Sequence, residues 1–264
     1  MNGLDLVVDG SLATLWLDRT DKRNAMSAAM WEALPSLVDR AARDPAVRVL
    51  LVRGRGDHFC AGADIAELGT SLATDTAAVA YRSLNAAAEA ALASAPMPTV
   101  AVIDGACIGG GVQLALACDL RVCTTRARIG ITAGRLGISF PAPSLERLVA
   151  TVGAARARRL LLTAEVLDAD DALRAGLVDD VVEPEQLDRA LAACVADLVS
   201  VSAVTQLAAK EMIAELASLG RVPQDLARHW EAVAATGGDL REGLAAFEQR
   251  RAPAFGPRPG RDAR

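Results

Sequence analysis

Two loops hold the residues best placed to do chemistry. The first, His58-Phe59-Cys60-Ala61-Gly62-Ala63-Asp64-Ile65, follows a short apolar run and leads into a helical stretch. The second, Asp104-Gly105-Ala106-Cys107-Ile108-Gly109-Gly110-Gly111, stands in the same setting. Backbone N–H groups at a helix start lack an intrahelical acceptor, so both loops offer donors that can point at a ligand. Three consecutive glycines are costly in chain entropy unless a ligand or another backbone must approach closely. Neither loop has Walker A spacing, because no Lys-Ser/Thr pair follows the glycines. The five cysteines form no paired framework, and Cys118 and Cys123, the closest two, have no histidine at zinc-ligand spacing. They read as reduced, mostly buried thiols, and no metal site is expected.

The elements around these loops follow from pattern. Leu4 to Val8 and Leu12 to Leu17 flank Asp9-Gly10 and predict a strand pair about a tight turn. Ser27 predicts the cap of a helix carrying Met30, Trp31, Leu34 and Val38, with a kink or restart at Pro35. Val47 to Val52 reads as a strand buried on both faces. Asp75 to Ser94 reads as a long Ala-rich helix, Thr99 to Ile103 as a strand, Val112 to Cys118 as a helix and Leu120 to Cys123 as a strand. That order predicts an α/β architecture with parallel pairing. After Pro143 the chain turns helical, with Gly153 and Gly176 as stops, Asp168 as a start and a last strand within Leu177 to Val182.

The expected organisation is a core over residues 1–184, a helical region over 185–256 and a disordered tail over 257–264. Leu187, Leu191, Val195 and Leu198 make an apolar stripe that suits either a core or a subunit contact. With 52% hydrophobic but only 3% aromatic residues, Ala, Leu and Val must do most of the packing. A net charge of −5 argues against nucleic acid or an anionic membrane as the main partner. No signal pattern accompanies Asp5 and Asp9, and no apolar run approaches the ~20 residues of a membrane helix. A cytoplasmic globular protein without membrane insertion is the expectation.

In their order and spacing the two loops resemble the crotonase superfamily, the enoyl-CoA hydratase and isomerase group. Arg19-Thr20-Asp21-Lys22-Arg23-Asn24-Ala25 is similar to its Arg-Pro-x-x-x-Asn-Ala segment, and Phe59 to Ile65 to its Phe-x-Ala-Gly-Ala-Asp-Ile loop. Gly109-Gly110-Gly111 with Leu114-Ala115 and Cys118-Asp119 is similar to its glycine loop and following helix. Asp168 to Val178 and Asp239 to Arg251 resemble two further segments. The resemblance implies a crotonase-type ββα spiral core with a C-terminal all-helical trimerisation region, assembled as a homotrimer or a dimer of trimers. It assigns the Ala63 and Gly110 N–H groups to a thioester oxyanion hole. Ala61, Gly62, Asp64, Ile65 and Gly109 would line the CoA cleft, Arg23 would contact the nucleotide end and Phe140 would shape the acyl pocket. CoA enters as part of the substrate, and no separate cofactor is implied.

The resemblance also shows where the pattern breaks. Family hydratases use two glutamates, and here Gln113 and Ala133 stand at those positions. An amide can orient a water but cannot serve as a general base near neutral pH, and Ala133 has no functional group. Four groups are candidate replacements. His58 matches family sequence without a catalytic role, and Glu67 reads as a solvated or salt-bridged helix residue. Glu146 reads as a surface charge and Tyr81 as a packing residue. Three readings follow: an enzyme of acyl-CoA metabolism of the hydratase or isomerase type, a non-catalytic long-chain acyl-CoA-binding protein, and a structural partner that no longer binds CoA. The intact loops argue against the third.

Overall fold

The computed structural model describes residues 3–258. In chain order the elements are β1 (Leu4–Asp9), β2 (Leu12–Leu17), α1 (Ala28–Arg43), β3 (Val49–Gly54), α2 (Ile65–Ser71), α3 (Asp75–Ala93), β4 (Thr99–Ile103) and β5 (Ala106–Ile108). There follow α4 (Gly110–Ala117), β6 (Leu120–Thr124), β7 (Arg128–Gly130), α5 (Ala142–Thr163), β8 (Val166–Leu167), α6 (Ala169–Arg174) and β9 (Asp180–Val182). The helices α7 (Leu187–Ser200), α8 (Ala203–Leu219), α9 (Gln224–Thr236) and α10 (Gly238–Glu248) complete the described chain.

The main sheet runs β1-β2-β3-β4-β6-β9. Its first pair is antiparallel, with Leu4 opposite Leu17 and Asp9 opposite Leu12, and every later pair is parallel. A smaller sheet, β5-β7-β8, stands apart from it. Alternate residues of the central strands serve two cores. Leu50, Val52, Ala101 and Ile103 join Trp31, Leu34 and Leu92 on one face. Val49, Leu51, Val100 and Val102 meet Leu187 and Leu191 on the other. The stripe on α7 is therefore a layer on the sheet, and the helical region expected from residue 185 begins as part of the core. Only further on do Leu207, Ala208 and Trp230 form a separate cluster between α8 and α9.

Ser27 caps α1 as its sequence predicts, accepting from the Met30 N–H at 3.3 Å. The expected restart at Pro35 does not occur; α1 runs through it as one element. Burial of Trp31, Leu34 and Val38 on either side of Pro35 holds the helix together despite the missing N–H. Gly153 does interrupt α5, with φ of 74°. Residues 259–264 of the expected disordered tail lie outside the described residues, but Arg258 within it is fixed. Its guanidinium is buried and donates to the carbonyls of Ala42, Asp44 and Val47.

One buried carboxyl links α3 to α5. Glu89 is 1% exposed, accepts from Ser144 Oγ at 2.9 Å and pairs with Arg147 at 2.8 Å. Burial pushes its pKa up from 4.5 to about 7, against the donations from Ser144 and Arg147. Between those two values the folded chain keeps a proton that the unfolded chain has lost, so this group's contribution to stability falls as pH rises. In urea unfolding, the stability difference between wild type and Glu89→Gln is expected to move against wild type from pH 5 to pH 8. A constant difference would contradict this account.

Candidate functional site

The two loops meet because their backbones pair with each other and with the segment before α1. Cys60 N–H donates to Ala106 O at 2.9 Å, and Ile108 N–H donates back to Cys60 O at 2.9 Å. Met26 N–H donates to Gly62 O at 2.7 Å, and Asp64 N–H donates to Met26 O at 2.9 Å. These bonds use both neighbours of Ala63 and leave its own N–H turned away from Met26. Gly110 opens α4, where the first intrahelical bond is Gln113 N–H to Gly109 O at 3.1 Å. Among the described residues, neither the Ala63 nor the Gly110 N–H has a hydrogen-bond partner.

Their proximity follows from the glycines. A methyl group at Gly110 would lie 3.5 Å from the Ala63 nitrogen, and one at Gly62 would lie 3.7 Å from the Gly110 nitrogen. Gly62, at φ of 107°, and Gly109, at φ of 51° and ψ of −105°, adopt backbone that L side chains rarely do. At Gly111 a methyl would come within 2.5 Å of Cys60 O, so the third glycine lets α4 sit against the first loop.

Both donors line a cavity of about 620 Å³. Ala61, Gly62, Ile65, Gly109, Gln113, Ala133 and Phe140, all expected at the site, line it too. Gln113 is buried, and its amide has no partner among the described residues. Arg23 and Asp64 do not line the cavity. Arg23 is exposed in left-handed backbone at φ of 50°, and its carbonyl receives the Ala61 N–H at 3.0 Å. Asp64 is buried, caps α2 through Ala66 N–H and pairs with Arg19 at 2.8 Å. Hydrogen bonding from Arg19 holds its carboxyl below the usual carboxylate range. Its place in the motif is structural: it anchors the loop beside Ala63.

The candidate replacement groups resolve in the same way. His58 Nδ1 accepts the Ala106 N–H at 3.2 Å. Glu67 is neither free nor ion-paired; it accepts the Ala28 N–H at the start of α1 at 2.9 Å. Glu146 is exposed on α5. Tyr81 does line the cavity, and burial, only partly offset by hydrogen bonding with Trp31 and Asn85, pushes its phenol pKa up. A phenol so placed stays protonated at neutral pH and can donate but cannot act as a base. Among the described residues, no Asp or Glu lines the cavity.

Trp31 and Asn85 are site residues that sequence reasoning missed. Trp31 is fully buried, and a methyl at Gly110 would touch its Cζ2 at 3.2 Å. With its amide oriented to satisfy both partners, Asn85 accepts from Trp31 Nε1 at 2.8 Å and donates to Tyr81 O at 3.0 Å. Ala78, Tyr81, Arg82 and Asn85 bring one face of α3 to the cavity.

Comparison with known proteins identifies the family. The family model described as enoyl-CoA hydratase/isomerase matches residues 8–258. The chain belongs to the enoyl-CoA hydratase/isomerase family. A Thauera aromatica protein named (E)-benzylidenesuccinyl-CoA hydratase is 33% identical over 255 residues, 95% of this chain and 97% of that protein. A Syntrophomonas wolfei crotonyl-CoA hydratase is 36% identical over 67% of each chain. A solved enoyl-CoA hydratase/carnithine racemase from Magnetospirillum magneticum is 31% identical, with a TM-score of 0.93 over 97% of this chain and 96% of that one. The α/β core with its helical C-terminal region is thus the crotonase fold. Among the described residues, no single helix of this family member is long and apolar enough to cross a membrane.

In a family member with this cleft, two convergent N–H donors can stabilise the oxyanion of a carbonyl, one such donor typically being worth about 10²–10³ in rate. Gly110→Ala should place a methyl against the Ala63 nitrogen and press on Trp31 Cζ2 at 3.2 Å, disturbing the donor pair. The expected result is an unchanged circular dichroism spectrum with loss of the infrared red-shift of a bound thioester carbonyl. An undiminished shift would count against the assignment.

Proposed function

We propose that this chain binds an acyl-CoA thioester with its carbonyl oxygen on the Ala63 and Gly110 N–H groups, and that carboxylate-driven hydration is not its chemistry. One observation carries the reading: two unpaired donors line the same cavity, and no Asp or Glu lines it among the described residues. The hydratase glutamate positions hold Gln113 and Ala133, and each lost acid or base typically removes about 10²–10⁴ in rate. Gln113 is suited to orient the acyl group or a water by hydrogen bonding, and the Tyr81 phenol to donate to it. The same absence of a base supports a second reading, a non-catalytic long-chain acyl-CoA-binding protein.

Family membership also supports assembly through the C-terminal helices into trimers or paired trimers. Ile213, Leu216, Leu219, Leu240, Leu244 and Phe247 are exposed on α8 and α10, where a neighbouring subunit would cover them. A cytoplasmic location agrees with the absence of a membrane-length helix among the described residues.

Calorimetric titration with acyl-CoA and free CoA, followed by a crotonyl-CoA hydration assay, tests the proposal. Acyl-CoA should bind more tightly than CoA, with hydration at least about 10²-fold below that of two-glutamate relatives. Gln113→Glu combined with Ala133→Glu should raise hydration. Ordinary hydration by the wild type would overturn the reading of Gln113 and Ala133, and absence of any CoA binding would overturn the whole.

A further inference from the structure

Among the described residues, Arg82 is the one charged residue lining the cavity; the rest are apolar, glycine or uncharged polar. It lies on α3 one residue past Tyr81, and Asn85 follows one turn later on the same face. Its helix gives it no counter-ion, because the positions three and four residues away are Ala78, Val79, Asn85 and Ala86. No ion pair or side-chain hydrogen bond engages it among the described residues, although the chain carries 33 acidic side chains. Several arginines elsewhere are engaged, Arg19 with Asp64, Arg55 with Asp5 and Asp18, and Arg147 with Glu89. Others, such as the exposed Arg23, have no such partner among the described residues but do not line the cavity. Glu67, which lies close enough to Tyr81 to raise its pKa, is committed to the Ala28 N–H.

We propose that Arg82 selects an acyl group bearing a second carboxylate, so that the preferred ligand is a dicarboxylic acid monothioester of CoA. The inference rests on the acyl-CoA reading of the cleft. The thioester carbonyl would sit on Ala63 and Gly110, and the distal carboxylate would reach the guanidinium at the rim. A guanidinium holds a carboxylate through two parallel N–H donations, which sets direction as well as charge. The apolar wall made by Leu68, Leu72, Ala78, Leu136 and Phe140 would take the methylenes between the two ends. No lining carboxylate repels such a ligand.

A CoA phosphate offers the same anionic chemistry, so the test compares ligands that share all their phosphates. Glutaryl-CoA and adipyl-CoA are titrated against pentanoyl-CoA and hexanoyl-CoA, with free CoA as a further arm, on wild type, Arg82→Met and Arg82→Lys. Methionine suits an exposed helix position, so folding should be retained, as circular dichroism will report. Wild type is expected to favour at least one diacid thioester about tenfold over the neutral thioester of equal length. Arg82→Met should bring that ratio near one, and Arg82→Lys should leave part of it. Equal affinities in wild type, or a preference that survives Arg82→Met, would overturn the proposal. An equal loss for every ligand, free CoA included, would assign Arg82 to phosphate and overturn it too. If no CoA compound binds wild type, the acyl-CoA reading itself fails, an outcome distinct from the others.

Discussion

Ala63 and Gly110 can face one acceptor because the backbone around them is paired on the far side. In a parallel bridge, one residue exchanges bonds with both neighbours of its partner, and the partner's own N–H points outward. Met26 does this to Ala63 through Gly62 and Asp64. Cys60 makes the matching bridge to Cys107 and brings the second loop alongside. The Met26 segment is itself fixed from behind. Asn24, buried in left-handed backbone at φ of 58°, accepts from Arg19 N–H and donates to the carbonyls of Arg55 and His58. Arg19 also reaches across to Asp64 and to Ala25 O. The donors' direction is thus set before any ligand arrives, which is what makes electrostatic stabilisation effective.

Behind the donors the packing is apolar and fully buried. Trp31 closes the space beside Gly110, and its indole N–H is satisfied by Asn85, so the indole does not compete for the acceptor position. Phe59, Cys60 and Cys107 are fully buried beneath the loops. Burial pushes the Cys60 thiol up to about 12 and Cys107 well above its ordinary value. These cysteines are packing atoms at neutral pH and supply no nucleophile to the cleft.

Much of this was legible in the sequence, and what was not has a physical cause. The parallel order, the Ser27 cap, the Asp168 cap and the two glycine loops are local signals, and the structure keeps them all. The smaller sheet was missed because β5, β7 and β8 are two or three residues long, too short for any periodicity. Asp64 was expected at the cleft because its motif sits there. The Arg19 guanidinium that claims it is 45 residues away, a pairing no local pattern encodes. The α7 stripe fitted a core or a subunit contact equally well, and only the sheet face formed by Val49, Leu51 and Val100 decides between them. In an Ala-rich helix such as α3 the apolar moment is weak, so sequence alone did not show that Tyr81, Arg82 and Asn85 share the cleft face.

The electrostatics of the cleft have a single sign. Two backbone donors, the N-terminal end of α4 and the Arg82 guanidinium all favour negative charge, and among the described residues no lining carboxylate opposes them. A site that both polarises a thioester and moves protons needs a base close to the carbonyl. Such a base costs desolvation energy, and its negative charge would oppose the enolate it helps to form. On the proposed reading, Gln113 and Ala133 stand where such a base would be, and that conflict is absent. On that reading the site is specialised for holding negative charge: the Gln113 amide can orient a ligand or a water, and the partly buried Tyr81 phenol can donate a hydrogen bond. Any proton that leaves the acyl group must then depart to solvent or to a group carried by the ligand. A second carboxylate on the acyl chain would be such a group, held at the rim by the cleft's own charge.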